Sequence, residues 1–177
     1  MNLDAQIESL KSAIRDVPDF PKPGILFKDI TPVLRDPVHF RRAIDLLAVC
    51  CGDLAVDKVV AIESRGFILG GALAIRLGAG FVPVRKPGKL PWKARRASYA
   101  LEYGTDSLEM HEDAVGPADR VLVVDDVIAT GGTARATGEL VEAAGARVSA
   151  YLFLVELGFL DGRAKLEGSD VRSLIRF

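Results

Sequence analysis

The stretch VLVVDDVIATGGTARATGEL, residues 121–140, joins an apolar run to two adjacent acids, a turn of small and hydroxyl residues, and a helix-forming tail. In the turn Ala129, Thr130, Gly131, Gly132 and Thr133, the small side chains let several backbone N–H groups converge at the positive end of the following helix, and two threonine hydroxyls add donors. That is a phosphate cradle. It lacks the lysine and the spacing of G-x-x-x-x-G-K-[ST], so a nucleoside triphosphatase is disfavoured and a single terminal phosphate fits better. Asp125 and Asp126, acceptor-only when ionised, suit the two donors of a vicinal diol. Phosphate and diol together describe a ribose 5-phosphate.

A second source of chemistry is charge. Arg85, Lys86, Lys89, Lys93, Arg95 and Arg96 place six cations in twelve residues with no acid among them, and Pro87, Gly88 and Pro91 forbid a regular helix there. Read alone, this is either a solvated basic loop or a lid for an anion. Glu63, Ser64, Arg65 and Gly66 stand between an apolar strand and a helix, where backbone N–H groups and a guanidinium can clasp a diphosphate.

The thirteen residues VLVVDDVIATGGT resemble the signature of the type I phosphoribosyltransferases: a hydrophobic strand, two acids and a Thr-Gly-Gly-Thr-like loop. PDFPKPGILFKDITPVLRDP, ESRGF, RKPGKLP, and SYALEYG with LEMHEDA are similar, in order and spacing, to segments of the adenine-specific branch of that family, so the resemblance covers nearly the whole chain. It implies transfer of a phosphoribosyl group from 5-phosphoribosyl 1-pyrophosphate to adenine, giving AMP and pyrophosphate, a purine-salvage reaction. Mg²⁺ is implied as cofactor, bound mainly through the phosphoribosyl donor, with no protein metal site, and a homodimer is implied as the assembly.

Residue by residue, the resemblance assigns the 5-phosphate and ribose to Asp125, Asp126 and 129–133, and pyrophosphate to Ser64, Arg65, Arg85, Lys86 and Lys89, under a mobile lid. Lys93, Arg95, Arg96 and Trp92 carry no assignment. Glu102 corresponds to the catalytic glutamate of the LEYG segment, Arg65 joins it as a catalytic cation, and Tyr103 is either a lid anchor or a structural residue. Leu26 and Lys28 would read the adenine edge through their backbones while Phe27 stacks on the ring. A non-proline cis peptide is implied between Glu63 and Ser64. The acids Asp106, Glu109, Glu112 and Asp113 read as solvated. Two other readings share the phosphate loop: a regulatory domain that senses the phosphoribosyl donor, and a transferase for a 6-oxo purine or a pyrimidine.

These side chains need a scaffold. KVVAI, FVPV, RVLVV and VSAYLFLV are short apolar runs separated by helical patterns over GFILGGALAIRLG and through Glu139 to Ala144, which indicates a parallel sheet buried on both faces by flanking helices, an α/β architecture. SYALEY and SLEMH flank Gly104, Thr105 and Asp106 as a β-hairpin. Leu3, Ile7, Leu10 and Ile14 mark a first helix, and Asp36-Pro37 starts a second that ends near Gly52, with the paired Cys50 and Cys51 as small apolar residues at its end. Between them, residues 19–37 hold four prolines and a glycine, too punctuated for a helix and too apolar for a free linker. The expected organisation is one domain over residues 1–177, with an N-terminal hood at about 1–36 and a flexible lid with hairpin at about 85–111.

Composition excludes other classes. With 177 residues, 49% hydrophobic, 23 Lys and Arg against 24 Asp and Glu, the chain is a packed globular domain without the basic excess that nucleic-acid binding needs. The longest stretch without a charge, GFILGGALAI, is half the length of a membrane span, and the acidic start MNLDAQIESLK lacks signal-peptide character, so a cytoplasmic protein is expected.

Overall fold

In a computed structural model, residues 2–100 and 105–177 are described. Backbone packing divides the chain into two units, residues 1–46 and 47–177. The first holds α1 (Leu3–Ala13), the antiparallel strands β1 (Arg15–Pro18) and β2 (Leu26–Asp29), α2 (Thr31–Arg35) and most of α3 (Pro37–Cys51). Asn2 caps α1 by accepting the Ala5 N–H at 2.8 Å, and Asp36 caps α3 by accepting those of Val38 and His39 at 2.9 and 2.8 Å.

The punctuated segment is more regular than expected. It contributes β2 and, against expectation, the short helix α2. Pro32 falls in the first turn of α2, where a missing N–H costs nothing, and Asp29 Oδ1 takes the Thr31 N–H at 2.9 Å.

The second unit holds β3 (Lys58–Ile62), α4 (Arg65–Leu77), β4 (Gly80–Val84), β5 (Ala94–Ala100), β6 (Thr105–His111), β7 (Arg120–Ile128), α5 (Gly132–Ala143), β8 (Arg147–Glu156) and β9 (Val171–Arg176). Five of these strands form a wholly parallel sheet in the order β4-β3-β7-β8-β9. The chain leaves β3 for β4 on one side and later returns to β7 on the other. Right-handed crossovers then put α4 and α5 on opposite faces, and the carboxyl ends of β3 and β7 flank the topological switch point, where open α/β sheets bind ligands.

The sheet and α5 share a core that includes Val60, Val82, Val123, Leu140, Tyr151 and Phe153. Each such side chain withdrawn from water stabilises the fold by roughly 1.5–3 kcal/mol. The β5–β6 hairpin adds Leu108 and Met110 to the same core, so it is anchored by packing as well as by its ladder. It begins at Ala94, four residues before the expected Ser98, which puts Arg95 and Arg96 in a strand and not in a loop. Among the described residues no helix is long and apolar enough to cross a membrane.

Candidate active site at the switch point

Strand β7 runs on through Ile128, so Asp125 and Asp126 lie within its last turn-facing residues and not just beyond it. Successive strand residues project to opposite faces, and Asp125 is the one that lies against the start of α4: a Cβ on Gly66 would come within 2.7 Å of its Oδ1. That Oδ1 also accepts the Asp126 N–H at 2.9 Å. Burial, and then the neighbouring Asp126 charge, push the Asp125 carboxyl well above the usual range. Asp126 is buried and accepts a charged hydrogen bond of 2.5 Å from Arg65 Nε. The expected diol acceptors and the expected pyrophosphate cation therefore meet across the switch point.

The connection from β3 to α4 departs from the implied geometry. Glu63–Ser64 is not cis; the only cis bond among the described residues is Phe20–Pro21. The chain instead turns through Ser64 at φ 76°, a conformation that a non-glycine residue adopts at some cost, so the strain is carried in a dihedral angle and not in the peptide bond. Ser64 is exposed and directly precedes α4.

Residues 129–133 line a cleft of about 80 Å³ together with Asp125, above the buried ring of Phe153. Gly131 stands at φ 77° before the first turn of α5, and its Cβ position is filled by the carbonyl oxygen of Gly162. Gly162 in turn leaves no room for a Cβ against the Ala129 carbonyl. Two glycines thus let the cradle rest backbone on backbone against the short 3₁₀ turn Gly162–Leu166. That turn is held by Arg163, whose Nε and Nη2 bind Oε1 and Oε2 of the buried Glu156 at 2.9 and 2.7 Å. Neither Gly162 nor this pair was singled out by sequence reasoning; the DGR string offers only a turn signal.

The basic run is tied down at its start. Arg85 and Glu109 exchange backbone hydrogen bonds of 2.9 and 2.7 Å, Lys86 pairs with Asp106, and Glu109 accepts the Gly88 N–H at 2.9 Å and Arg96 Nη2 at 2.6 Å. Reading Glu109 and Asp106 as solvated acids was wrong: Glu109 is 8% exposed, and Arg96, with the Gly88 N–H, holds its carboxyl below the usual range. Glu63 accepts the Lys86 N–H at 3.0 Å and lies 3.3 Å from Lys89 Nζ.

Leu26, Phe27 and Lys28 form most of β2 in the first unit; Phe27 packs edge-on against Phe20 with centroids 5.2 Å apart, and Lys28 Nζ pairs with Asp16 at 2.6 Å. Glu102 and Tyr103 lie outside the described residues. A larger hollow of about 370 Å³ beside Arg41, Arg42 and Asp45 has no backbone cradle and belongs to the surface of α1 and α3.

Known proteins resemble this chain over nearly its whole length. The profile of the phosphoribosyl transferase domain matches residues 34–169. An adenine phosphoribosyltransferase of Anaeromyxobacter dehalogenans (strain 2CP-1 / ATCC BAA-258) is 58% identical over 171 residues, 97% of this chain and 99% of its own. The crystal structure of the adenine phosphoribosyltransferase from Thermoanaerobacter pseudethanolicus superimposes with a TM-score of 0.95 at 56% identity, covering 97% of this chain and 99% of that one. The Saccharomyces cerevisiae enzyme, solved with an imino-altritol bisphosphate and adenine, gives 0.91 at 44% identity, covering 97% and 99%. On its fold, its strand-end site and its near full-length identity, the chain belongs to the adenine phosphoribosyltransferases of the phosphoribosyl transferase family.

Proposed function

We infer how this chain's residues divide the work of adenine phosphoribosyl transfer, in which adenine and 5-phosphoribosyl 1-pyrophosphate give AMP and pyrophosphate. In the reaction the bond from ribose C1 to the pyrophosphate oxygen breaks, with its electron pair leaving on pyrophosphate, and adenine N9 bonds to C1 as it gives up its proton. Positive charge develops on the sugar and negative charge on the leaving group, so acceptors and cations must flank the bond. The observation that carries the reading is that Asp125, Asp126, Arg65 and the 129–133 cradle meet at one switch point.

The cradle takes the 5-phosphate, and Asp125 and Asp126 take the ribose hydroxyls. Arg65, the turn at Ser64, and Arg85, Lys86 and Lys89 take pyrophosphate. Glu102 takes the adenine proton. The segment at about 1–36 serves as the hood, with the Phe27 ring stacked on adenine and the backbones of Leu26 and Lys28 reading the N6 donor beside the N1 acceptor; a fixed C=O and N–H there reject the reversed pattern of a 6-oxo purine. The bound adenine in the yeast relative supports a base site of this kind.

Among the described residues no three ligating side chains form a metal cage. Mg²⁺ binds readily through one or two carboxylates plus substrate phosphates, and the Asp125–Asp126 pair fits that donor set, so the ion would be held mainly by the phosphoribosyl donor, with the two aspartates reached through ribose or water. When bound it neutralises pyrophosphate charge.

A homodimer is supported by Ile68, Ile75 and Phe81, large apolar side chains 45%, 86% and 41% exposed on α4 and the adjacent β4. A cytoplasmic setting is supported by two free cysteines, Cys50 and Cys51 at the end of α3. Purified protein given adenine, the phosphoribosyl donor and Mg²⁺ should form AMP and pyrophosphate in equal amounts by chromatography; pyrophosphate without AMP would reject the transfer.

A further inference from the structure

Two carboxylates hold the turn 85–89, and they do so differently. Glu109 is bound through short contacts: its backbone ladder with Arg85, the Gly88 N–H at 2.9 Å and Arg96 Nη2 at 2.6 Å. Glu63, which follows β3 and is 16% exposed, accepts two hydrogen bonds, from the Lys86 N–H at 3.0 Å and from Lys89 Nζ at 3.3 Å, and makes one longer charge contact, with Arg85. Its Oε1 is 3.3 Å from Lys89 Nζ and its Oε2 is 3.5 Å from Arg85 Nε. The Arg85 Nε is buried and has no hydrogen-bond partner among the described residues, although Nη1 of the same guanidinium donates to the Lys89 carbonyl at 3.3 Å. Burial opposes ionisation of Glu63, but the Lys86 N–H and the Lys89 and Arg85 charges outweigh it and keep the group a carboxylate.

We propose that Glu63 is a positioning residue that serves as an internal counter-ion: it holds Arg85 and Lys89 in place until a diphosphate displaces it from them. This rests on the reading of Arg85 and Lys89 as pyrophosphate cations. Asp106 pairs with Lys86, which leaves Arg85 and Lys89 as neighbouring cations that repel one another, and the Glu63 carboxylate between these two keeps the turn in register without saturating its donors. A diphosphate brings more charge and shorter bonds, so it wins the exchange, and Glu63 recaptures the cations as the product leaves. The carboxylate therefore weakens pyrophosphate binding while its hydrogen bond to Lys86 preserves the shape of the turn.

The two roles separate in Glu63→Gln, which keeps an acceptor for the Lys86 N–H and removes the charge. Titration calorimetry of the full chain with magnesium pyrophosphate should show this variant binding about tenfold more tightly than wild type in low salt, with a steeper loss of affinity as salt rises. Glu63→Asp, which keeps the charge, should stay within about twofold of wild type. Unchanged or weaker binding by the Gln variant, or equal tightening by the Asp variant, would overturn the proposal. Lys89→Ala distinguishes the two levels. If it weakens pyrophosphate binding but Glu63→Gln does not tighten it, the counter-ion role alone fails; if it leaves binding unchanged, the pyrophosphate reading of the turn fails and the counter-ion role with it.

Discussion

Arg65 Nε donates to Asp126 Oδ2 at 2.5 Å, so the first residue of α4 and a carboxylate of β7 are joined across the switch point of the sheet. The Arg65 side chain is 34% exposed and that of Asp126 9%, so the cation keeps access to solvent while its anchor is sheltered. In the proposed division of work, the pair orients a positive charge toward the pyrophosphate. It also gives Asp126 the partner that a buried carboxylate needs.

Replacing Arg65 by Ala removes both effects. The kcat/KM for the phosphoribosyl donor should fall by roughly 10²–10³-fold, the usual loss when one preorganised donor to a developing anion is deleted. Stability should fall by about 1–3 kcal/mol because Asp126 loses its charged partner. Steady-state kinetics with denaturant melts reads both; a loss of stability with full activity would remove Arg65 from the chemistry.

Asp125 offers the opposite trade. Its folded-state pKa is raised by burial and by Asp126, so at a pH between its unfolded value, about 3.9, and its folded value the native state holds a proton that the unfolded chain has released. Stability contributed by this group therefore falls as pH rises through that window, and the full penalty stands above it. Asp125→Asn, whose side-chain oxygen can still accept the Asp126 N–H, should melt about 2–4 °C higher at pH 8, the change that roughly 1 kcal/mol makes in a domain of this size, with the gain shrinking toward pH 4. Activity should drop at least about 100-fold through loss of a charged ribose acceptor. A variant that melts lower at pH 8 than at pH 4 relative to wild type would contradict the assigned direction.

Gly162→Ala tests the support of the phosphate cradle from outside the motif. Its Cβ meets the Ala129 carbonyl, so the loop must move away from the 3₁₀ turn. The KM for the phosphoribosyl donor should rise by roughly tenfold or more, since a displacement of about 1 Å at a positioned group is costly, and stability should fall by about 1–3 kcal/mol. An unchanged KM would show that the cradle does not depend on this contact.

The proposed proton acceptor is Glu102. Glu102→Gln should lower kcat by roughly 10²–10⁴-fold with little change in donor binding, as expected when a general base is removed. Single-turnover AMP formation measures it; full turnover in the variant would send the search for the base elsewhere.

How far the site was legible depended on whether its partners were close in sequence. Asp125, Asp126 and the 129–133 turn stand in one strand-loop-helix unit, so their residue types alone describe a phosphate and a diol. Arg65 was recognisable as a cation at the start of a helix, but its pairing with Asp126 joins two crossover units and leaves no local trace. Gly162 was invisible for the same reason, because its role is a backbone contact with Ala129 and Gly131 that only the fold creates. Glu109 and Asp106 looked like surface acids in a hairpin; burial and the cations of the 85–96 run, set by tertiary packing, make them anchors. The fifth sheet strand, Val171–Arg176, escaped notice because Arg172 and Arg176 break up its apolar residues, as befits an edge strand paired on one side only. The turn at Ser64 was expected as a cis bond and is formed by a positive φ, two ways of reversing the chain that no residue pattern distinguishes.

The most direct measurement is kcat/KM of the purified protein with the phosphoribosyl donor and Mg²⁺, offering adenine, hypoxanthine, guanine, xanthine and orotate one at a time and following pyrophosphate release. The account predicts turnover confined to adenine. Comparable turnover with another base would contradict the reading of Leu26, Phe27 and Lys28 as adenine readers, and donor binding without turnover on any base would contradict the transferase itself.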